Sequence, residues 1–162
     1  MRKTAKVFLP VILVIVALDQ ASKLVIARAV GFHEVIPVIK GYVDIVHVRN
    51  RGIAFGIFNR PDSNFGTYVL IAMTCVAVLL LSFWLLRMER ENPKLGIPLS
   101  LIIGGALGNL IDRVRLLEVV DFLSVHAAGF YWPAFNVADS AITVGTILLA
   151  VLLLKEGNWK EA

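Results

Sequence analysis

Long apolar runs, separated by short polar stretches, are the dominant pattern along this chain. Four runs approach the roughly 20 residues that an α-helix needs to cross a hydrocarbon core about 30 Å thick. They predict membrane-spanning helices at about residues 7–29, 66–86, 95–116 and 136–155. Helices are expected because lipid offers no hydrogen-bond partners to an open backbone.

The segments that join these spans predict different structures. In the segment 31–65, residues 43–48 alternate and are rich in β-branched side chains, which predicts a short strand between turns. The segment 117–135 is rich in aromatic side chains, which predicts a loop that dips into the membrane interface. The predicted fold is an all-α, single-domain membrane protein over residues 1–162, with a small extracytoplasmic β segment between the first two helices.

Composition supports a membrane protein and excludes other classes. Of the 162 residues, 58% are hydrophobic and 17% are charged, against roughly 45–50% and 25% in soluble domains. A soluble fold of this size has too little interior for so much apolar surface. Cys75 is the one cysteine, so no intramolecular disulfide can form. Basic residues flank the apolar runs, so phospholipids rather than nucleic acid are the expected partners.

Basic residues at the ends of the spans predict the orientation of the chain. One side carries eight of them: Arg2, Lys3, Lys6, Arg87, Arg90, Lys94, Lys155 and Lys160. We therefore expect both termini in the cytoplasm. The basic N-terminus resembles a secretory signal peptide, but no small-residue cleavage site closes its apolar run, so we interpret it as an uncleaved first span. Basic residues also occur on the opposite side, where we expect headgroup contacts: Lys40, Arg49, Arg51 and Arg60.

Ionisable side chains are concentrated at one membrane face. Such groups are costly at membrane depth and by default indicate function. Asp121 and Asp139 bracket one loop, so they lie on the same side of the membrane in either orientation. The connection between the first two spans faces that side as well. The residues expected to converge there are Asp19, Lys23, Asn50, Arg51, Asp112, Arg113, Asp121 and Asp139.

Two aspartates in one site suggest acid–base chemistry. Neighbouring carboxylates cannot both ionise cheaply, so one keeps a proton while the other acts as a base. Such a pair can activate water against an amide and protonate the leaving nitrogen. Asn109 and Asn136 are placed to orient the carboxylates by hydrogen bonds. GxSxG and HExxH motifs are absent from the sequence; we expect no cofactor, and a metal site of His and Asp side chains from separate loops stays open.

Structural interpretations of the same residues are also open. Asp139 fits a cap or a first-turn residue of the fourth span. Asp112 and Arg113 fit a structural ion pair that closes the third span. Asp19 and Lys23 lie four residues apart, as a structural or substrate-orienting pair would. Three glycines of the third span fit a close-packing helix face: Gly104, Gly105 and Gly108.

Five short segments carry sequence motifs in a fixed order: Asp19–Lys23, Asn50–Phe55, Gly104–Arg113, Val119–Phe122 and Phe135–Asp139. Together they resemble the motifs of the lipoprotein signal peptidases (signal peptidase II), which are aspartyl membrane enzymes of bacteria. Each segment alone is a weak signal, but all five occur in register over essentially the whole chain.

The resemblance implies a role for each matching residue. Asp121 and Asp139 would be the catalytic dyad. Asn109, Arg113 and Asn136 would shape the site and hold the substrate. Further residues would position the substrate or stabilise the site: Asp19, Lys23, Asn50, Arg51 and Gly52.

The resemblance also implies a substrate and a location. The substrate would be a prolipoprotein whose future N-terminal cysteine carries diacylglycerol, and cleavage would fall just before that cysteine. The protein would act as a monomer in the bacterial cytoplasmic (inner) membrane, with its site near the outer face, and globomycin-type cyclic peptides would inhibit it.

Two other functions remain open. A small transporter could use the same aspartates as a proton relay, but it would need charges through the membrane depth, and the inner halves of the spans are uncharged. A non-enzymatic assembly factor could hold the same residues as a structural polar cluster. It would tolerate Asp→Asn substitutions, apart from some loss of stability.

Overall fold

A computed structural model describes residues 4–52 and 63–157 of the chain. Some positions named above lie outside these residues: Arg2, Lys3, Arg60, Lys160 and residues 53–55 of the segment Asn50–Phe55. The interpretations given for those positions concern the sequence alone.

Four long helices form the body of the molecule: α1 (Leu9–Ala29), α2 (Phe65–Glu91), α3 (Gly96–Leu116) and α4 (Val137–Gly157). All four are long and apolar enough to cross a membrane. A π-helical turn (Thr4–Phe8) precedes α1, and a 3-10 turn (Pro93–Leu95) precedes α3. Helix α2 continues past its expected end near residue 86 because no helix-breaking residue occurs before Pro93, which disfavours the helical conformation at Asn92.

Helix α3 is the centre of the bundle. In its most apolar stretch 61% of the residues are buried, against 11 to 17% in the other three helices. The outer helices present apolar side chains to the surroundings; Leu79 of α2 and Leu154 of α4 are each 70% exposed. Exposed leucines in such numbers fit contact with lipid, in which an apolar surface carries no cost.

Glycines allow α1 and α4 to approach α3 closely. A side chain at Gly105 would overlap the backbone carbonyl of Ala138 in α4. A Cβ at Gly108 would lie 2.6 Å from Oδ2 of Asp19 in α1. The predicted close-packing face is therefore confirmed, and it brings the backbone of α4 and the carboxylate of α1 to the same point of α3.

The connections between the helices form one four-stranded antiparallel sheet of order β1-β2-β3-β4. Its strands are β1 (Val35–Ile39), β2 (Val43–Asn50), β3 (Val119–Ala127) and β4 (Phe130–Tyr131). The sheet lies where α1 and α3 end and α2 and α4 begin, and we call this the sheet end of the bundle. Pro37 lies in the edge strand β1, beside a break in the register, because proline cannot donate to a strand partner.

The all-α prediction is wrong in one respect. The sequence placed the sheet in residues 31–65 and a loop in residues 117–135, but β3 belongs to the second segment and pairs with β2 along six residue pairs. The reason is that β2 carries a second edge whose backbone groups need partners. Residues 119–127 supply them, with four buried residues at the start of the strand.

The opposite end of the bundle is closed by apolar packing. A cluster of buried side chains lies where α1 and α3 begin and α2 ends: Phe8, Leu85, Leu95, Leu99 and Ile103. Nearly all polar burial that the structure describes therefore lies towards the sheet end, where the functional candidates are found.

Candidate active site

Asp121 and Asp139 reach one cavity from two different elements. Asp121 is the third residue of β3, and Asp139 is the third residue of α4. The cavity has a volume of about 290 Å³. Its lining consists of Asn50, Gly52, Asn109, Arg113, Val119, Asp121, Trp132, Pro133, Ala134, Phe135, Asp139, Ile142 and Thr143.

Asn136 links the two carboxylates. Its Nδ2 donates a hydrogen bond to Oδ1 of Asp121 at 2.7 Å, and its backbone N–H donates to Oδ2 of Asp139 at 3.3 Å. Its Oδ1 accepts a hydrogen bond from the backbone N–H of Asp139 at 3.0 Å. Asn136 and Asp139 thus form a reciprocal capping box at the start of α4. Asp139 is therefore both a helix-capping residue and a cavity carboxylate.

Asn109 and Asn50 occupy the remaining carboxylate oxygens. Nδ2 of Asn109 donates to Oδ1 of Asp139 at 2.8 Å, and Nδ2 of Asn50 donates to Oδ2 of Asp121 at 3.1 Å. Asn50 pairs with Val119 across the two strands, so Asp121, two residues further along β3, is its diagonal neighbour on the same face. All four carboxylate oxygens therefore accept an N–H, which fixes both groups at the cavity.

The environment of Asp121 favours a protonated carboxyl group. Burial raises the pKa of Asp121 from its ordinary 3.8 to about 7, and the nearby charge of Asp139 acts in the same direction. Hydrogen bonds from Asn50 and Asn136 and the charge of Lys23 oppose the shift. Near neutral pH, Asp121 is therefore able both to hold a proton and to release it.

Arg113 brings a positive charge to the cavity wall. Its Nη2 lies 3.4 Å from the carbonyl oxygen of Gly52. Its Nε is buried without a hydrogen-bond partner in the part of the chain that the structure describes. A guanidinium with spare N–H groups beside a cavity is suited to binding a carbonyl or carboxylate of a ligand.

A buried ionic cluster lies beneath the cavity. Nζ of Lys23 is 2.8 Å from Oδ2 of Asp19 and 3.0 Å from Oδ2 of Asp112, and all three side chains are almost fully buried. The predicted ion pair between Asp112 and Arg113 is wrong, because adjacent residues of a helix point in different directions. Asp112 instead contacts Lys23 and accepts the backbone N–H of Val120 at 3.2 Å.

The cluster also fixes the start of α4. Oδ1 of Asp19 accepts a hydrogen bond from the backbone N–H of Ala138 at 2.9 Å. Gln20, which the sequence analysis did not single out, donates from Nε2 towards Oδ1 of Asp112, Oδ2 of Asp19 and the carbonyl of Gly108. A signal for Gln20 was available, since it is a polar residue beside Asp19 within an apolar run.

The turn after β2 is held by contacts that the sequence did not indicate. Arg51 forms an ion pair with Glu118 at 3.2 Å. Oγ1 of the buried Thr67 lies 3.3 Å from the carbonyl oxygens of both Arg51 and Leu117. These contacts join the ends of β2 and α3 to α2 and so hold Asn50 in place. Thr67 is an ordinary residue in an apolar span, and no sequence pattern distinguishes it.

Metal binding was the other open possibility for these side chains. Across residues 4–52 and 63–157, no group of three or more His, Cys, Asp or Glu side chains is placed to hold a metal ion. His126 instead contacts Oδ2 of Asp44 at 2.9 Å and stacks on Tyr131. Nδ1 of His47 lies 2.9 Å from the carbonyl oxygen of Val30.

The fold and the site define a multi-pass membrane protein with paired carboxylates at one end of its helical bundle. A family model described as signal peptidase (SPase) II matches residues 11–155. The chain therefore belongs to the signal peptidase II family, a family of membrane peptidases.

Individual relatives agree with this family. The chain is 45% identical over 158 residues to a lipoprotein signal peptidase of Syntrophotalea carbinolica, covering 97% of this chain and 96% of that protein. It is 44% identical over 160 residues to one of Geobacter sulfurreducens, covering 99% of both. A solved structure of a bacterial membrane enzyme superposes with a TM-score of 0.86 at 31% identity, over 96% of this chain and 92% of the other.

Proposed function

We propose that this protein is a membrane aspartyl endopeptidase that removes the signal peptide from diacylglyceryl-modified prolipoproteins and cleaves just before the lipidated cysteine. Asp121 and Asp139 are its catalytic residues. Asn109, Arg113 and Asn136, with Asn50 and Gly52, shape the site and hold the substrate. Asp19, Lys23 and Asp112 support the site from below.

One observation carries the aspartyl mechanism. Two carboxylates from different elements line the same cavity, and asparagine N–H groups hold both of them. The pKa of Asp121 lies at about 7, so its proton is available near neutral pH. Asp139 lies in the first turn of α4, where the helix dipole favours a negative charge. We therefore assign Asp121 as the acid and Asp139 as the base.

The proposed reaction uses these two states. Ionised Asp139 takes a proton from a water molecule, whose oxygen attacks the scissile carbonyl carbon. Protonated Asp121 donates a hydrogen bond to the carbonyl oxygen and lets the tetrahedral intermediate form. The C–N bond then breaks, and the leaving nitrogen takes the proton that Asp139 accepted. Arg113 binds a neighbouring backbone carbonyl and sets the register of the peptide.

A second cavity supports a lipid-modified substrate. It has a volume of about 390 Å³ and adjoins the first along α4, with a mostly apolar lining of Trp132, Phe135, Asp139, Ser140, Thr143 and Val144. An acyl chain can lie in this apolar cavity while the peptide bond beside the lipidated cysteine reaches the carboxylates. The relatives named lipoprotein signal peptidases support the same substrate class.

We place the protein in the bacterial cytoplasmic membrane as a monomer, with both termini in the cytoplasm and the sheet end at the outer face. A prolipoprotein exposes its modified cysteine at that face. An enzyme at the same face can therefore bind the scissile peptide bond while the lipid stays in the bilayer. Globomycin-type cyclic peptides are expected to inhibit it by occupying the cavity.

A proton-coupled carrier is less well supported. A carrier needs a polar path to both membrane faces, whereas the end of the bundle remote from the sheet is packed with Phe8, Leu85, Leu95, Leu99 and Ile103. Asp121 and Asp139 therefore open towards one face in the described part of the chain.

The direct test is cleavage by the purified protein of a peptide with a diacylglyceryl-modified cysteine, beside the same peptide without lipid. We expect cleavage of the modified peptide only, with the lipidated cysteine as the new N-terminus by mass spectrometry. Cleavage should continue after exhaustive chelation of metal ions. No cleavage of either peptide would refute the proposed function.

A further inference from the structure

Lys23 is a buried cation that the proposed reaction does not use. The residue is 3% exposed, and its Nζ lies within 3.0 Å of three oxygens. These are Oδ2 of Asp19 at 2.8 Å, Oδ2 of Asp112 at 3.0 Å and Oδ1 of Asn109 at 2.9 Å. An ammonium group has three N–H bonds and no acceptor. The two carboxylates more than offset its single positive charge, and the third N–H is donated to the neutral Asn109.

The contact determines which way the Asn109 amide points. An ammonium group can only donate, so the atom of Asn109 that faces Lys23 has to be the carbonyl oxygen. The same oxygen accepts a hydrogen bond from Nδ2 of Asn136 at 3.2 Å. The amide nitrogen is then directed to the other side, where it donates to Oδ1 of Asp139 at 2.8 Å. A reversed amide would place N–H groups against two donors and an oxygen against a carboxylate.

The other two site asparagines are oriented in a comparable way. Oδ1 of Asn136 accepts the backbone N–H of Asp139, and Oδ1 of Asn50 accepts the backbone N–H of Gly52. Backbone groups belong to the fold, so a point mutation does not remove them. Asn109 differs because the principal donor to its oxygen is a side chain on another helix.

We propose that Lys23 is a positioning residue of the proteolytic site and acts through Asn109. Its ammonium holds the amide of Asn109 with the nitrogen towards Asp139, which keeps a hydrogen-bond donor on the catalytic carboxylate. The inference rests on the proposed function, because its effect is read from peptide cleavage. It assigns to α1 a catalytic contribution besides the stabilisation of the bundle.

A double-mutant cycle tests this proposal, with kcat and KM measured on the lipidated peptide. The four proteins are the wild type, Lys23→Met, Asn109→Ala and the double variant. We expect Lys23→Met to lower kcat about tenfold to a hundredfold, the effect of losing a hydrogen bond to a charged group. In the Asn109→Ala background the same change should lower kcat by less than about twofold, because Lys23 then has no Asn109 amide to orient.

Gln20→Leu is the matched control. Gln20 contacts Asp19 and Asp112 in the same cluster but donates no hydrogen bond to Asn109. The fold-changes in kcat caused by Gln20→Leu and by Asn109→Ala should therefore multiply in the double variant. If Lys23→Met does not fold, Lys23→Gln replaces it in the cycle, because glutamine removes the charge and can accept as well as donate.

The outcomes separate two questions. If the wild type does not cleave the lipidated peptide, the proposed function is wrong. If the wild type cleaves it but the effects of Lys23→Met and Asn109→Ala on kcat multiply, Lys23 does not act through Asn109. A Lys23 variant that folds and changes only the thermal midpoint or KM would likewise overturn the inference.

Discussion

Asp121 and Asp139 carry the same functional group in different surroundings. Asp121 lies on a strand and is 2% exposed, whereas Asp139 is half-buried in the first turn of a helix, where its carboxylate closes the capping box. Burial without a helix dipole favours the neutral acid, and a helix N-terminus favours the anion. In the proposed reaction, the strand residue Asp121 is therefore the acid and the helix residue Asp139 the base.

Replacement of either aspartate tests this division. Asp121→Asn and Asp139→Asn should each lower kcat by about 10²- to 10⁴-fold, the usual contribution of a positioned acid or base. Both variants should still insert into the membrane and unfold in one transition, since asparagine conserves the shape of the side chain. The measurement is cleavage of the lipidated peptide, with thermal unfolding in detergent as the folding control. A fully active single variant would exclude the dyad and favour a structural polar cluster.

The pH dependence of cleavage tests the protonation state of Asp121. The proposed reaction needs a protonated Asp121, so kcat should fall as pH rises through about 7. The hydrogen bond from Asn50 lowers the pKa of Asp121. Removing it in Asn50→Ala should therefore move the alkaline limb of the kcat profile to higher pH. An unchanged limb in this variant would show that a different group controls it.

Asp121 should also make stability depend on pH. Its pKa is higher in the folded protein than in the unfolded chain, so its favourable contribution is complete below pH 3.8 and is lost as pH rises through about 7. The loss amounts to at most about 4 kcal/mol. We expect the thermal midpoint in detergent to fall over this interval, and to fall less in Asp121→Ala. Equal slopes for the two proteins would contradict the assignment.

At the scale of elements, the contact of α3 with α4 sets the position of Asp139. The backbone carbonyl of Ala138 lies against Gly105, so even a methyl group at residue 105 has to displace α4. Gly105→Ala should lower the free energy of unfolding by about 1–3 kcal/mol, the usual cost of overpacking. It should also reduce cleavage, because the displaced backbone carries Asp139.

Leu79→Ala serves as the control for that substitution. Leu79 lies on the exposed face of α2, so its truncation should change the free energy of unfolding by no more than about 0.5 kcal/mol. Thermal unfolding and cleavage of the two variants are measured side by side. Wild-type behaviour of Gly105→Ala would mean that α4 can move away from α3 without loss.

The helices could be predicted from the sequence, but most of the strands of the sheet could not. A span of about 20 apolar residues is a local signal, and α1, α3 and α4 begin and end within a few residues of the expected positions. Strand β3 depends on a partner some 70 residues earlier, as the pairing of Val48 with Asp121 shows. Its apolar and aromatic residues also fit an interfacial loop, so a local pattern does not distinguish the two.

The candidate site shows the same division. That Asp121 and Asp139 lie at the same end of the bundle follows from topology alone, because one loop joins their elements. The hydrogen bonds expected from Asn109 and Asn136 to the aspartates are present. The partner of Asp112 depends on which helix faces it in three dimensions, so the sequence favours the neighbouring Arg113, whereas the structure pairs Asp112 with the distant Lys23.

At the scale of the whole molecule, the distribution of basic residues does not by itself fix the orientation of the bundle in the membrane. Basic residues flank both ends of the bundle: Arg87 and Lys94 at one end, Lys40 and Arg49 at the sheet end. The positive-inside rule compares the two sides, and the basic residues at the sheet end reduce the preference that the larger number at the other end gives. The proposed substrate gives a stronger argument, because a signal peptide is removed after its chain has crossed the membrane.

Labelling of single cysteines tests this orientation. In a Cys75→Ser background, Ala127→Cys places an exposed thiol on the sheet, and Lys94→Cys places one in the turn between α2 and α3. A membrane-impermeant maleimide applied to intact spheroplasts should label residue 127 only, and residue 94 should react after permeabilisation. Retained cleavage by both variants shows that the fold is intact. The reverse labelling pattern would put Asp121 and Asp139 at the cytoplasmic face, where a translocated prolipoprotein does not present its cysteine, and the proposed substrate would then have to be abandoned.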